Sequence, residues 1–204
     1  MGTLFNGDTK DVVLFEVLNE DQHIYRVCWG IGESTCYYSA FSGELNAENL
    51  CSTINNTKFT MLELHTIATS AGLSEEETAK FLKTMISRLV VEYDSSSAVN
   101  EFYIGGLPVW LDKGTRVGLL LRFSSEKAMG LKTTTLWLNG MQFTFDLSNA
   151  ELILGAIEVY ASMCYDNTQK HLMLISKLES IDEIMGYDFT TGYPDKIDLA
   201  KFQA

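Results

Sequence analysis

The chain has 204 residues, an apolar content of 46% and a formal net charge of −12. Such a chain is long enough and apolar enough to bury a core in one large or two small domains, which argues against wholesale disorder. Because the net negative charge repels phosphate, the composition disfavours binding to nucleic acid or to an anionic membrane surface.

The first forty-five residues predict an antiparallel meander. Three strand-like segments are separated by polar or glycine-containing turns: residues 12–18, 23–29 and 35–41. The middle segment alternates, with Ile24, Arg26 and Cys28 on one side, which is typical of a partly buried strand.

The next segments predict three helices, over residues 46–54, 60–70 and 74–93. Ser74 followed by Glu77 has the spacing of a capping box, in which the hydroxyl and the carboxylate satisfy free backbone N–H groups. From Leu82 to Tyr93 apolar residues recur at i, i+3 and i+4, which marks one buried face.

The second half predicts short strands, a helix and a hairpin. The segments are strands at 101–104 and 107–111, a helix at 112–129, and strands at 133–138 and 141–145. Asn139 and Gly140 join the last two strands, and both residue types tolerate the positive φ of a type I′ turn.

The longest predicted helix begins near Leu147, with Ser148 and Glu151 spaced as a second capping box, and continues to about Leu178. About thirty helical residues extend roughly 45 Å. We expect part of this helix to project or to pack against another chain. A last short helix begins at Ser180 or Asp182.

Together these elements predict an α+β fold. Residues 1–98 form an N-terminal domain with an antiparallel sheet and a helical hairpin. Residues 99–204 form a C-terminal domain with a β-hairpin and a long helix. The division falls in the short polar segment 94–98.

Residues 60–104 match the outline of a winged helix-turn-helix, with strands expected at 90–94 and 101–104. The second helix would present Glu75, Glu76 and Glu77 to a DNA groove, facing a polyanion. The acidic residues favour a hairpin used for packing or protein docking. A winged-helix DNA-binding regulator remains an alternative.

Residues with catalytic or metal-binding chemistry are scattered along the chain. The three histidines lie in three predicted elements, and the four cysteines have irregular spacings without a zinc-binding pair. We therefore expect reduced structural thiols, no enzymatic activity, no cofactor and no metal. A site built on Cys164 and His171, two turns apart on the long helix, is the weakest alternative.

The amino terminus has no secretory signal pattern, and no window contains eighteen consecutive apolar residues. We expect the protein to be made in a cytoplasm, with no membrane partner.

Large aromatic side chains concentrate in the second half and predict a protein interface. The interface candidates are Trp137, Tyr160, Tyr165 and Tyr193. They lie on or near the hairpin and the long helix, which together carry more apolar surface than one small domain readily covers. A homodimer or another homo-oligomer is expected.

From residue 101 onward the chain resembles a known family. The matching segments are residues 109–118, 134–140, 156–161, 164–166, His171, 180–184 and the closing 187–194, which reads Tyr-Asp-Phe-Thr-Thr-Gly-Tyr-Pro. They are similar to an uncharacterised virion-associated domain of phages and prophages of gut Bacteroidota, including crAss-like phages. Related domains occur at the ends of tail-fibre and fibre-assembly proteins.

The resemblance implies a structural protein of a tailed-phage virion, made in the host cytoplasm, that binds neighbouring capsid, fibre or tail proteins. The implied role is a head-fibre or tail-fibre attachment or adaptor subunit. An alternative in the same class is a tail-fibre assembly chaperone that is not retained in the particle. The family supplies no catalytic residues.

Overall fold

The computed structural model describes residues 2–54 and 59–199 and confirms the predicted α+β fold. The strands are β1 (Thr3–Asn6), β2 (Phe15–Asn19), β3 (Ile24–Trp29), β4 (Thr35–Ser42), β5 (Phe102–Ile104), β6 (Leu107–Val109), β7 (Thr133–Leu138) and β8 (Met141–Asp146). The helices are α1 (Ala47–Thr53), α2 (Met61–Ser70), α3 (Glu75–Ser95), α4 (Lys113–Ala128), α5 (Leu147–Ser176) and α6 (Ile181–Met185).

The chain divides into two compact units that alternate along the sequence. Unit 1 comprises Met1–Glu92 and His171–Phe189, and unit 2 comprises Tyr93–Lys170 and Thr190–Ala204. The predicted division into 1–98 and 99–204 lies near the first boundary, but it does not include the return of residues 171–189 to unit 1. The return has a physical cause, because Ile175 and Ile184 are buried in the core of unit 1.

The sheet of unit 1 is antiparallel, with the strand order β1-β4-β3-β2. The predicted meander corresponds to β2, β3 and β4, and Phe15, Tyr25 and Val27 point into the core. Strand β1 was not predicted. All four of its residues are exposed, so it has no alternation of buried and exposed positions to detect.

Side chains of α3 form hydrogen bonds with both ends of α1. Ser74 Oγ accepts a hydrogen bond from the Glu77 N–H (3.2 Å), as the predicted capping box requires. The Glu77 carboxylate accepts instead from the N–H of Ala47, the first residue of α1 (2.6 Å). At the other end of α1, Arg88 donates to the carbonyls of Cys51 (2.6 Å) and Ile54 (2.9 Å). One helix therefore fixes both ends of another.

The winged helix-turn-helix outline over residues 60–104 is wrong beyond α3. The segment expected as its first strand, residues 90–94, is helical, because α3 continues to Ser95 with Val90 fully buried in the core of unit 1. The hairpin that follows, β5 with β6, belongs to unit 2.

Unit 2 contains two hairpins, the whole of α4 and most of α5. The turn between β7 and β8 has the predicted geometry, with φ of 50° at Asn139 and 78° at Gly140. Its apolar core includes Phe102, Phe123, Leu136, Phe145, Ile153 and Ile157.

The C-terminal segment of unit 2 packs beside β5. The N–H of Tyr103 donates to the Ile197 carbonyl (2.8 Å), and Leu199 is completely buried. Lys196 adds an ion pair with Glu101 (2.6 Å). The end of the described chain is therefore part of the core of unit 2.

Helix α5 is 30 residues long, close to the prediction. The capping box expected at Ser148 is absent because α5 begins at Leu147, directly after β8, and the Glu151 carboxylate pairs with Lys127 (2.8 Å). Buried residues occur along α5 from Leu147, in unit 2, to Ile175, in unit 1. This accounts for its length without the projecting end that we expected.

Candidate protein-binding surfaces

The four aromatic residues predicted to form an interface have different environments. Trp137 and Tyr165 are exposed, at 67% and 59% of their surface. Tyr193 is half-buried, and Tyr160 is buried at 3% exposure. Only the two exposed residues are available for contact with another protein in this structure.

Tyr160 is a core residue of unit 2, which corrects its assignment to an interface. Its ring packs in a small cluster with Val99 and Cys164. Its hydroxyl donates to the Val99 carbonyl (2.7 Å), and burial raises the pKa of this phenol. The sequence predicted a large aromatic side chain on the long helix, but it could not show that the chain itself fills the space beside Tyr160.

Tyr193 also makes contacts within its own unit. Its ring packs edge-on against Tyr93, with ring centroids 5.4 Å apart. Its hydroxyl donates to Thr168 Oγ1 (2.9 Å), which in turn donates to Asp94 (2.8 Å). These contacts fix the closing segment of the sequence against the start of unit 2, so we assign Tyr193 to intrachain packing.

Trp137 lies on the outward face of the β7–β8 hairpin, opposite Gln142. The inward side chains of the same strands, such as Leu136 and Phe145, are buried in the core. Thr135 and Thr144 pair through their hydroxyls beside Trp137 (3.3 Å). Within residues 2–54 and 59–199 no further strand joins this two-stranded sheet, and Trp137, Gln142 and Thr144 are exposed on its outward face.

A second exposed surface, which the sequence analysis missed, lies on α4 and α5. We call it the α4–α5 outer face and define it by three exposed residues on each helix. On α4 they are Val117, Leu120 and Leu121, and on α5 they are Leu152, Val159 and Met163. The α4 residues have the apolar spacing i, i+3 and i+4, which the sequence shows. Such spacing ordinarily predicts a buried helix face, so it did not indicate an exposed surface.

Unit 1 contains a groove of ≈ 1320 Å³ between α3 and the segment formed by the end of α5 and α6. Its floor is apolar, with Ile175 and Ile181 among its lining residues. Its rim carries both signs of charge: Glu75, Glu76, Lys80, Lys83, Arg88 and Glu179. The mixed rim gives the groove no preference for a polyanion, and the first two glutamates are the residues that a DNA-recognition helix would present to its target.

The residues considered for catalysis have structural partners. Burial raises the pKa of the Cys164 thiol, which disfavours the reactive thiolate. His171 is buried, and its Nδ1 pairs with the Tyr187 hydroxyl (2.7 Å). Cys28, Cys36 and Cys51 are buried free thiols.

No group of three or more histidine, cysteine or acidic residues in the described part of the chain could hold a metal ion. Among the acidic residues near the end of the chain, Glu183 forms the capping box of α6 with Ser180. Its carboxylate accepts from the backbone N–H groups of Glu179 and Ser180, and these bonds lower its pKa.

Comparison with known proteins does not assign the chain to a family. The chain matches no protein-family model, no curated protein and no solved structure. Among the described residues, no helix is both long enough and apolar enough to cross a membrane.

Proposed function

We propose that this chain is a structural protein of a tailed-phage particle that binds neighbouring virion proteins, as a head-fibre or tail-fibre attachment subunit. The resemblance of residues 101–194 to a virion-associated domain supports the type of particle. The structural observation that carries the binding role is the exposure of Trp137, 67%, on the outward face of an open two-stranded sheet.

Trp137 has the properties of an interface anchor. A tryptophan ring is rigid and large, and burying it at an interface removes apolar surface from water with little loss of side-chain entropy. Its position on the hairpin is fixed by the buried residues on the opposite face of the same strands. The flanking threonines and Gln142 supply hydrogen-bonding groups around the ring, as at the polar rim of an interface.

The first test asks whether the protein is part of the particle. Quantitative mass spectrometry of purified particles from the phage that encodes the chain should find it at a stoichiometric copy number. Its absence from intact particles, together with its presence in infected cells, would refute the structural role and support the assembly chaperone.

The second test asks whether Trp137 carries the contact. The change Trp137→Ala should lower incorporation into particles, because truncating an anchoring tryptophan commonly costs about 2 kcal/mol or more of binding free energy. Tyr37→Ala is the matched control, since Tyr37 is an aromatic residue with 43% exposure on strand β4 of unit 1. Equal incorporation of both variants would exclude Trp137 as the anchor.

A further inference from the structure

We propose that the α4–α5 outer face is a homodimer interface, in which two copies of the chain pair their α4 and α5 helices as an antiparallel four-helix arrangement. The role of this dimer in the particle rests on the proposed function. The inference adds to that function one partner, a second copy of the chain, and the surface that binds it.

Two ion pairs fix how α4 lies against α5. Arg116 Nε lies 2.6 Å from Glu158 Oε2, and Lys127 Nζ lies 2.8 Å from Glu151 Oε2. The earlier residue of α4 pairs with the later residue of α5, so the two helices run antiparallel. The basic side of α4 and the acidic side of α5 therefore face each other.

The two apolar stripes lie on the side of this helix pair that faces away from the core. On α4, Val117 and Leu121 are 50% and 66% exposed, whereas Phe123 is buried. On α5, Leu152 and Val159 are 62% and 63% exposed and are one heptad apart. At 100° per residue, both stripes point away from the core-facing residues and lie to the same side of the ion-paired seam.

Gly155 lies in the middle of this face, between Leu152 and Val159. A Cβ atom at Gly155 would meet nothing within 4 Å, so packing inside the chain does not require glycine there. A glycine inside a helix is less favourable than alanine, because it loses more backbone freedom on folding. Close approach of a helix from a second copy would give this position a reason to lack a side chain.

The exposed area is close to what a specific dimer needs. Six side chains that are half or more exposed offer roughly 300–400 Å² of apolar surface, at the size of the largest patch on a typical monomer. If about two-thirds of the contact is apolar, two copies bury about 1,000 Å² in total, the lower limit for a specific interface.

The chemistry of the face favours a second copy over a different protein. The six residues that define the face are apolar, and the charged residues at the seam between the two stripes, Lys127 and Glu158, are ion-paired with Glu151 and Arg116 of the same copy. A partner recognised by charge would have to compete with these intrachain pairs. A two-fold axis parallel to the helices places α4 of one copy on α5 of the other in antiparallel orientation, which is the packing of an up-down four-helix bundle.

Sedimentation velocity of the purified protein, from about 1 to 100 µM, tests the interface, since an area at the lower limit corresponds to a Kd on the order of micromolar. The wild-type protein should dimerise. Leu121→Glu and Val159→Glu should each weaken dimerisation by about 100-fold or more, because each places two unpaired carboxylates in an apolar contact. Both positions are exposed, so the variants should retain the wild-type circular dichroism spectrum.

Leu62→Glu is the matched control, because Leu62 is 68% exposed on α2 of unit 1. It should dimerise like the wild type. A wild-type protein that is monomeric at about 100 µM overturns the inference, as does normal dimerisation of Leu121→Glu or loss of dimerisation in the Leu62→Glu control. These results leave the virion role intact, because that role is tested by the presence of the protein in particles.

Discussion

The placement of Tyr160 predicts a large effect on stability and none on association. The hydroxyl of Tyr160 donates to the Val99 carbonyl, and the ring fills the cluster that includes Cys164. Tyr160→Phe removes only the hydrogen bond. The Val99 carbonyl still accepts from the Glu101 N–H (2.9 Å), so it does not lose every partner. We therefore expect a loss of about 1 kcal/mol in unfolding free energy, the ordinary net value of such a bond.

Tyr160→Ala removes the ring as well and leaves a cavity in unit 2. Truncation of a buried aromatic side chain costs about 3–5 kcal/mol, and Tyr160 is 3% exposed, so the full range applies. Tyr165 lies on the same helix at 59% exposure, and Tyr165→Ala should change the unfolding free energy by less than about 0.5 kcal/mol.

Urea denaturation followed by far-ultraviolet circular dichroism measures all three variants. The order of stability should be wild type and Tyr165→Ala, then Tyr160→Phe, then Tyr160→Ala. If Tyr160→Ala were as stable as Tyr165→Ala, the core position of Tyr160 would be incorrect and its assignment to an interface would have to be restored.

Two further predictions concern the contacts of α3 and the buried thiols. Arg88→Met keeps the apolar stem but removes both hydrogen bonds to the carbonyls of Cys51 and Ile54. It should lower the unfolding free energy by about 2 kcal/mol. Lys83→Met is the control, and it should cost much less because Lys83 makes no such pair of bonds. Burial raises the pKa of the Cys51 and Cys164 thiols above the ordinary 9.0, so the folded state keeps protons that the unfolded state loses. Their contribution to stability is complete below pH 9.0 and declines as the pH rises above it, by up to about 1.4 kcal/mol per pH unit for each thiol. In denaturation experiments between roughly pH 8 and pH 10, the unfolding free energy of Cys164→Ala should therefore fall less steeply with pH than that of the wild type. An equal fall in the two proteins would contradict this reasoning.

The parts of the fold that the sequence predicts well depend on local chemistry. The turn at Asn139 and Gly140 needs only residues that tolerate positive φ, and Ser180 begins α6 because its hydroxyl and the Glu183 carboxylate cap the helix. The long apolar period of α5 likewise predicts its existence and its length. Each of these signals lies within a few residues of the element that it specifies.

The parts of the fold that the sequence does not predict depend on long-range packing, that is, on which elements become neighbours in the folded chain. An apolar stripe at helical spacing has the same pattern whether it is covered, as at Phe123, or exposed, as at Leu121. The same limit placed Tyr160 at an interface. The return of residues 171–189 to unit 1 is a long-range contact, and no local residue pattern specifies it.

That return affects how the chain can fold during synthesis. Unit 1 buries Ile175 and Ile184 in the same core as Phe81 and Leu82, so it lacks part of its interior until the ribosome has passed residue 189. At ordinary elongation rates, the interval between residues 92 and 189 lasts on the order of ten seconds. During that time the nascent N-terminal segment exposes apolar side chains that the finished protein covers. Binding of a cellular chaperone to the growing chain would therefore be expected at this stage.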